Sequence, residues 1–382
     1  MPNSLRRYLK DPFLNRLYKE IRKTGPMKSI SLDLNQECNI RCTGCYYFSE
    51  GMDVSETPND ESEFDAFIER ELERGTNFVT VVGGEPSMRL GRLKKIYDNF
   101  KMNVSTNGII PIPKNGFENM PIGVSIWGDH KTDAVLRGNG KRDIFSIALN
   151  NYRADPRVFW YYTVSAGNAH EIEVVADQCV ANGNRILFNF YSDISNVGGT
   201  MDHRKGFGTV RKEIDKVIGR YPNFIYLSSY LTKVISTGRL YDQEWGYDVC
   251  TTISTDNPVN AERLKNGNLY SPHFRAYNAD FKTTRRCCVG IERSCDSCFD
   301  VWNHFSWVML NMKKHLGSKQ EFTNWLTSMY LFYLINRLVD YETGIHLLPE
   351  IHKRVGGLKS IPMKNNGYLP SVHAAPRRPI IK

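Results

Sequence analysis

Three cysteines, Cys38, Cys42 and Cys45, stand within eight residues in the run CNIRCTGC, with one gap of three residues and one of two. Thiols this dense are the makings of a disulfide framework, a zinc site or an iron–sulfur cluster. A zinc ribbon wants paired two-residue gaps and a fourth local ligand. No histidine or further cysteine occurs in the eighty residues after Cys45. Iron–sulfur clusters are normally held by four thiolates, so a group of three leaves one iron open to bind something else. Three further short motifs follow: GGEP (83–86), STNG (105–108) and VSIWG (124–128). Paired glycines let backbone approach a ligand closely, and Glu85 offers an acceptor for an ammonium group.

The elements around these motifs alternate. Strand candidates are SISLDLN (29–35), FVTVV (78–82), MNVST (102–106), IGVSIW (122–127), VFWYYTVS (158–165) and RILFNF (185–190). They are rich in Val, Ile, Phe and Tyr, as strands buried on both faces are. Helical patterns lie between them at 61–74, 88–99, 143–152 and 169–182. Alternation of this kind predicts an α/β fold with parallel strands and right-handed crossovers. Periodicity alone leaves an open doubly wound sheet and a partial barrel as alternatives. Each motif falls at the C-terminal end of a strand candidate, where parallel folds place their chemistry.

Length and charge bound the rest. The 382 residues allow two or three domains, or one large barrel with appendages. The N-terminus is too charged for a secretory signal, so a reducing, cytoplasmic setting is expected, where clustered thiols bind metal more often than they form bridges. Net charge is +9, and the two ends, 1–30 and 351–382, carry +13 between them, which leaves −4 for the body. Basic ends of this kind admit peripheral membrane contact; solvated tails are the plainer reading. Nothing in the body reads as a nucleic-acid groove. In the N-terminal segment Leu5, Leu9, Phe13, Leu17 and Ile21 recur every four residues, with Asp11 capping a helix that starts at Pro12. Such a stripe could lie on lipid, but packing across the bottom of the fold is the expected use. Ser318 and Glu321 form a capping box opening the charge-free run Phe322–Asn336. At fifteen residues it is short of the ~20 that span a bilayer, so a buried helix is predicted. Cys179, alone in a helical pattern, reads as a core thiol.

CxxxCxxC after the first strand, then GGEP, STNG and VSxxG at the ends of the next three, resembles the radical S-adenosylmethionine (SAM) superfamily. The resemblance covers roughly residues 29–190. It implies a partial (βα)6 TIM-like barrel in which Cys38, Cys42 and Cys45 hold a [4Fe–4S] cluster whose fourth iron chelates SAM. Gly83, Gly84 and Glu85 would bind the methionine amino group. Ser105, Asn107 and Ser125 would lie near its carboxylate or the ribose, and Asn168 near the adenosine. One electron would then split SAM into methionine and a 5′-deoxyadenosyl radical that abstracts a hydrogen from a substrate or adds to it. Many members carry an aromatic residue just before the third cysteine, where this chain has Gly44, with Tyr46 and Tyr47 just after.

A second group, Cys250, Cys287, Cys288, Cys295 and Cys298, follows the hairpin-like segment 274–288, which turns at Tyr277–Asp280. It resembles the auxiliary-cluster domain of such enzymes in its shorter, twitch form. A second [4Fe–4S] cluster is implied, held by Cys250, Cys288, Cys295 and Cys298 with Cys287 as the substitute, for electron relay or structure. The expected organisation is a basic extension at 1–28, the barrel at 29–240, the auxiliary-cluster hairpin and helix at 241–300, and a helical extension with a basic tail at 301–382. An electron donor such as flavodoxin or ferredoxin is implied. The substrate would sit in the barrel mouth against Trp127, Asp129, His130, Arg137, Tyr191 and Asp193, under a loop at 130–140, with Asp129, His130, Arg137 and Tyr191 the catalytic candidates. The 28 residues before the first strand offer no leader-gripping domain, so a small-molecule biosynthetic substrate is expected ahead of a ribosomally made peptide. Oxidoreductase, lyase and transferase outcomes remain open at this point.

Overall fold

A computed structural model describes residues 3–192, 204–290 and 295–355. Six strands, β1 (Ser29–Asp33), β2 (Phe78–Val82), β3 (Lys101–Thr106), β4 (Ile122–Ile126), β5 (Val158–Val164) and β6 (Arg185–Phe190), lie in parallel and in sequence order. A two-residue ladder, β7 (Arg239–Leu240) with β8 (Gln243–Glu244), stands apart. A hairpin of β9 (Ala276–Tyr277) and β10 (Thr284–Arg285) then extends the main sheet beyond β1, with β9 parallel to it. The eight strands run in the order β10-β9-β1-β2-β3-β4-β5-β6. The fold is α/β, and its sheet is open, with β10 and β6 at the edges.

The strands have two unlike faces because side chains alternate across the backbone. Ile30, Leu32, Val79, Val81, Trp160 and Phe188 point one way and are buried in the main apolar core. The other face carries small polar residues such as Ser31, Thr80, Ser105 and Thr163 beside Phe78, Val82 and Tyr161. Helices Glu61–Glu73, Leu90–Asn99, Ile144–Asn151 and Ile172–Ala181 form the crossovers, close to the spans the periodicity predicts. Cys179 is fully buried in the last of them. Where a loop was expected at 130–140, the chain forms a helix, His130–Arg137. The Asp129 carboxylate accepts the N–H groups of Lys131 and Thr132 and so starts it.

The open side of the sheet is closed by helix Val301–Leu310, whose Trp302 stacks on Tyr161 of β5 at 6.3 Å. Helix Lys319–Ile335 packs beside it, and Asn336 just past its end accepts a 2.6 Å hydrogen bond from Asn103 of β3. Thirteen of its residues are buried and Ser318 caps it, as the capping box predicts. No described helix is long and apolar enough to cross a membrane. The N-terminal helices Asn3–Tyr8 and Pro12–Lys23 dock on the same element. Tyr8 stacks on Phe322, and Tyr330 donates to Glu20. Leu14 and Leu17 are fully buried, a contribution of about 1.5–3 kcal/mol each. The apolar stripe thus faces protein. The basic tail falls outside the described residues from 356 onward.

Candidate functional site

The ends of β1 and β2 meet through backbone. Gly84 N–H donates to Asn35 O at 2.8 Å and Glu85 N–H to Glu37 O at 2.7 Å. A Cβ at Gly83 or Gly84 would strike the backbone of residues 34–37, and Gly83 holds φ +122°. The glycines of GGEP therefore make room for the loop that leads into the cysteines. Glu85 is buried, and its Oε1 accepts from Ser87 N, Ser87 Oγ and Thr106 Oγ1. Among the described residues its Oε2 accepts the Asn107 N–H alone, at 2.8 Å. A carboxylate oxygen has two lone pairs, so Oε2 keeps one acceptor position. Glu85 thereby ties the end of β2 to the STNG turn after β3. Asn107 continues the tie, donating from Nδ2 to Asn39 Oδ1 at 2.7 Å, beside Cys38.

Cys38, Cys42, Cys45, Gly83, Gly84, Glu85, Ser105, Asn107, Ser125, Arg137 and Tyr191 all line one cavity of about 260 Å³. Burial raises each thiol of the triad, Cys42 to about 11. Each also feels another's charge: Cys38 that of Cys42, Cys42 that of Cys45, and Cys45 that of Cys38. Among the described residues no three Cys, His, Asp or Glu side chains gather tightly enough for one metal ion. A mononuclear zinc would draw its sulfurs to about 3.8 Å apart, from Zn–S bonds of ~2.3 Å. Mutual charge and a common outlook on the cavity, without that tight convergence, suit a larger multinuclear group.

Arg137 is buried against Asp133, Nη1 to Oδ2 3.0 Å, and donates to Ser125 O at 2.6 Å. Its positive charge is also felt at Cys42. The guanidinium is anchored beneath the triad, where its partners engage it. Tyr191, at the end of β6, reaches over Gly44, whose φ is +73°, and fills the space where a Cβ would stand. An aromatic ring thus occupies the neighbourhood that the cysteine loop itself leaves empty.

Three sequence candidates do not line the cavity. The Asn168 amide accepts from Ser165 N and donates to Trp127 O and Thr163 O, clamping the ends of β4 and β5 together. Asp129 caps its helix. His130 is partly exposed on the outer side, 2.9 Å from Ser146 Oγ. Asp193 lies outside the described residues. Sequence reasoning missed Tyr46, Tyr161, Asn189, Asp300 and Trp302, all on the cavity wall. Tyr161 donates to Asp300 Oδ2 at 2.9 Å. Asn189 accepts the Val301 N–H at 2.9 Å. For Tyr161 and Asn189 the sequence signal is the inward parity of β5 and β6, and Tyr46 directly follows the cysteine motif.

The second thiol group forms beside the same cavity. Cys288 Sγ lies 3.2 Å from Asn303 Oδ1 and 3.7 Å from Thr252 Oγ1. Cys250 Sγ is 3.5 Å from the same Thr252 oxygen and Cys298 Sγ 3.7 Å from Asn303 Nδ2. Burial raises Cys250 to about 11, with the charge of Cys287 next in importance. Cys288, Cys295 and Cys298 are raised in the same way and also feel Cys287. All five cysteines therefore share one neighbourhood, and Cys288 opens onto the cavity.

No family model matches the chain. A probable GTP 3′,8-cyclase from Thermoplasma volcanium is 27% identical over 137 residues, 33% of this chain and 41% of the cyclase. The chain thus matches about two-fifths of that relative's length. Among solved structures, anSMEcpe with bound AdoMet has a TM-score of 0.49 at 15% identity, covering 78% of this chain and 84% of its own. Streptococcus suis SuiB bound to precursor peptide SuiA has a TM-score of 0.39 at 14% identity, covering 54% and 50%. Likeness at these values carries no functional inference, and the weight falls on the motifs themselves. Their order along the chain has become a common mouth in space, as the resemblance to the radical S-adenosylmethionine superfamily implies.

Proposed function

We propose that the chain cleaves SAM reductively and turns the resulting radical on a small-molecule biosynthetic substrate. A [4Fe–4S] cluster held by Cys38, Cys42 and Cys45 would, when bound, deliver one electron to the sulfonium of SAM, giving methionine and a 5′-deoxyadenosyl radical. The chain's own part is placement. The free lone pair of Glu85 Oε2 would accept the SAM ammonium, and Ser105, Asn107 and Ser125 would face its carboxylate and ribose. Tyr191 and Tyr46, both on the cavity wall, would be the aromatic residues available to the adenine. Helix Val301–Leu310 shields this space from water on the open side of the sheet. The observation that carries the reading is the Glu85 carboxylate, which joins the glycine turn to the STNG turn under the thiol triad with one acceptor position unused.

We assign the five-cysteine group to a second [4Fe–4S] cluster, in a unit at 241–300 following a barrel at 29–240. Cys250, Cys288, Cys295 and Cys298 are the proposed ligands, with Cys287 the alternative to Cys288. Electron relay or a structural role suits a fully ligated cluster, and flavodoxin or ferredoxin would supply the first electron. The cyclase relative's named substrate is not carried over. A polyphosphate asks for free cations, and the described cavity wall offers only Arg137, which Asp133 engages.

Anoxic incubation of the reconstituted protein with SAM and dithionite tests the reading. 5′-Deoxyadenosine should form with wild type and not with Cys42→Ala. Its absence from both would overturn the proposal.

A further inference from the structure

The inner face of the sheet is hollow. In closed (βα)8 barrels, bulky branched side chains fill the interior in layers. Here the inward positions include Ser31, Thr80, Asn103, Ser105, Ser125 and Thr163, while the bulkier Tyr161 is held aside against Asp300 and Trp302. The smaller side chains cannot meet across the sheet, so the cavity does not end below the thiol triad. It continues to Phe78 at the first residue of β2 and to Met27 just before β1. From Val82 to Phe78 the strand rise gives a depth of about 13 Å. Phe78, Phe274 and Phe332 are buried at this lower end, and Trp302 and Ser306 line the side formed by helix Val301–Leu310.

Charge is confined to the walls and engaged there. Glu85 accepts four donors, Arg137 is paired with Asp133, and Asp300 accepts from Tyr161 and from Asn303 N–H. Among the described residues no lysine lines the cavity. The wall therefore presents hydroxyls and amides between two groups of aromatic rings, Tyr46, Trp127 and Tyr191 at the mouth and Phe78, Phe274 and Phe332 at the far end. An anionic ligand would lose its water there without gaining a partner, since the one cation on the described wall, Arg137, is paired, whereas a neutral one matches the wall.

We propose that this bore is the substrate subsite, and that it takes a slender uncharged molecule bearing hydroxyl or amide groups along its length and an apolar group at the end that enters first. The inference rests on the reading of the mouth as the SAM site and specifies the substrate class for it. The reactive carbon would lie level with Val82 to Glu85, and the apolar end on Phe78, Phe274 and Phe332.

The test uses reconstituted full-length protein and n-octyl β-D-glucoside, a neutral hydroxylated amphiphile, below its micelle threshold, with ATP as the charged comparison. Calorimetry should show one octyl glucoside bound per chain, undisturbed by ATP. Thr80→Leu and, from the helix side, Ser306→Trp should each weaken binding tenfold or more. Iron content and circular dichroism identify which variants are folded, and the conclusion is drawn from those. Unchanged binding in a folded variant, or displacement of the probe by ATP, would overturn the proposal. Failure of the SAM reading is separately visible: wild type would then bind the amphiphile yet form no 5′-deoxyadenosine. Normal 5′-deoxyadenosine formation with no amphiphile bound would remove the bore proposal alone.

Discussion

Arg285 grips both carboxylate oxygens of Asp33, with Nη2 2.9 Å from Oδ1 and both side chains buried. The same guanidinium donates to Cys287 O and Cys288 O. A strand that ends at the first thiol motif is thereby tied to the hairpin that leads into the second. Removing one partner of a buried pair strands the other, at a cost of about 3–5 kcal/mol. Asp33→Ala should lower the urea midpoint accordingly, while Asp33→Leu combined with Arg285→Met should recover much of the loss.

Glu85→Gln is nearly isosteric but places an NH2 group where at least one donor already points. Unsatisfied buried donors cost about 1–3 kcal/mol each. The variant should unfold earlier in urea and form no 5′-deoxyadenosine. Wild-type stability together with full cleavage would show that the carboxylate is not the joint between the two turns.

For the second thiol group, Cys250→Ala should cut iron from about eight per chain to about four, at four per cubane. The visible absorption should fall in step. Comparing Cys287→Ala with Cys288→Ala by the same iron count distinguishes the two neighbours, since only the true ligand's loss lowers it.

Arg137 holds a positive charge against the Cys42 sulfur. Positive charge beside a cluster favours its reduced form, and net charge and hydrogen bonds to sulfur set such potentials. Arg137→Gln should move the first cluster's potential to more negative values in an EPR-monitored titration. An unchanged potential would mean that the arginine serves Asp133 and Ser125 alone.

Asp11 ties the N-terminal helix to Lys319 at 2.8 Å and Arg354 at 2.9 Å. Burial raises this carboxyl, but Lys319, the Leu14 N–H and Arg354 outweigh it and hold it at about 2. The folded value lies below the unfolded value of about 3.9. Its stabilising contribution is therefore fully present above pH ~4 and is lost as pH falls toward ~2. The difference in urea midpoint between wild type and Asp11→Asn should be constant above that window and shrink through it.

The six central strands were legible within a residue or two, because β-rich runs bounded by Gly and polar turns are a local signal. The same holds for Asp11 and Ser318, whose caps act within three residues. Pairings across long separations left no such trace. Nothing near Asp33 announces Arg285, and nothing near Tyr161 announces Asp300 or Trp302. The segment 130–140 was expected as a loop over the substrate from the resemblance, whereas His130–Arg137 forms a helix that Asp129 caps. His130 and Asp129 were then placed at the mouth, although the helix turns them outward. Asn168 looked like a ligand contact because an amide after a strand serves either ligand or backbone, and only the fold reveals which.

Gly44 and Tyr191 belong to segments almost 150 positions apart, yet one cannot grow unless the other shrinks or swings aside. Homologues should accordingly trade bulk between these two sites, a large residue in the cysteine loop accompanying a small one after the sixth strand. Paired substitution of this kind would be the evolutionary record of a single ring migrating from one wall of the pocket to the other.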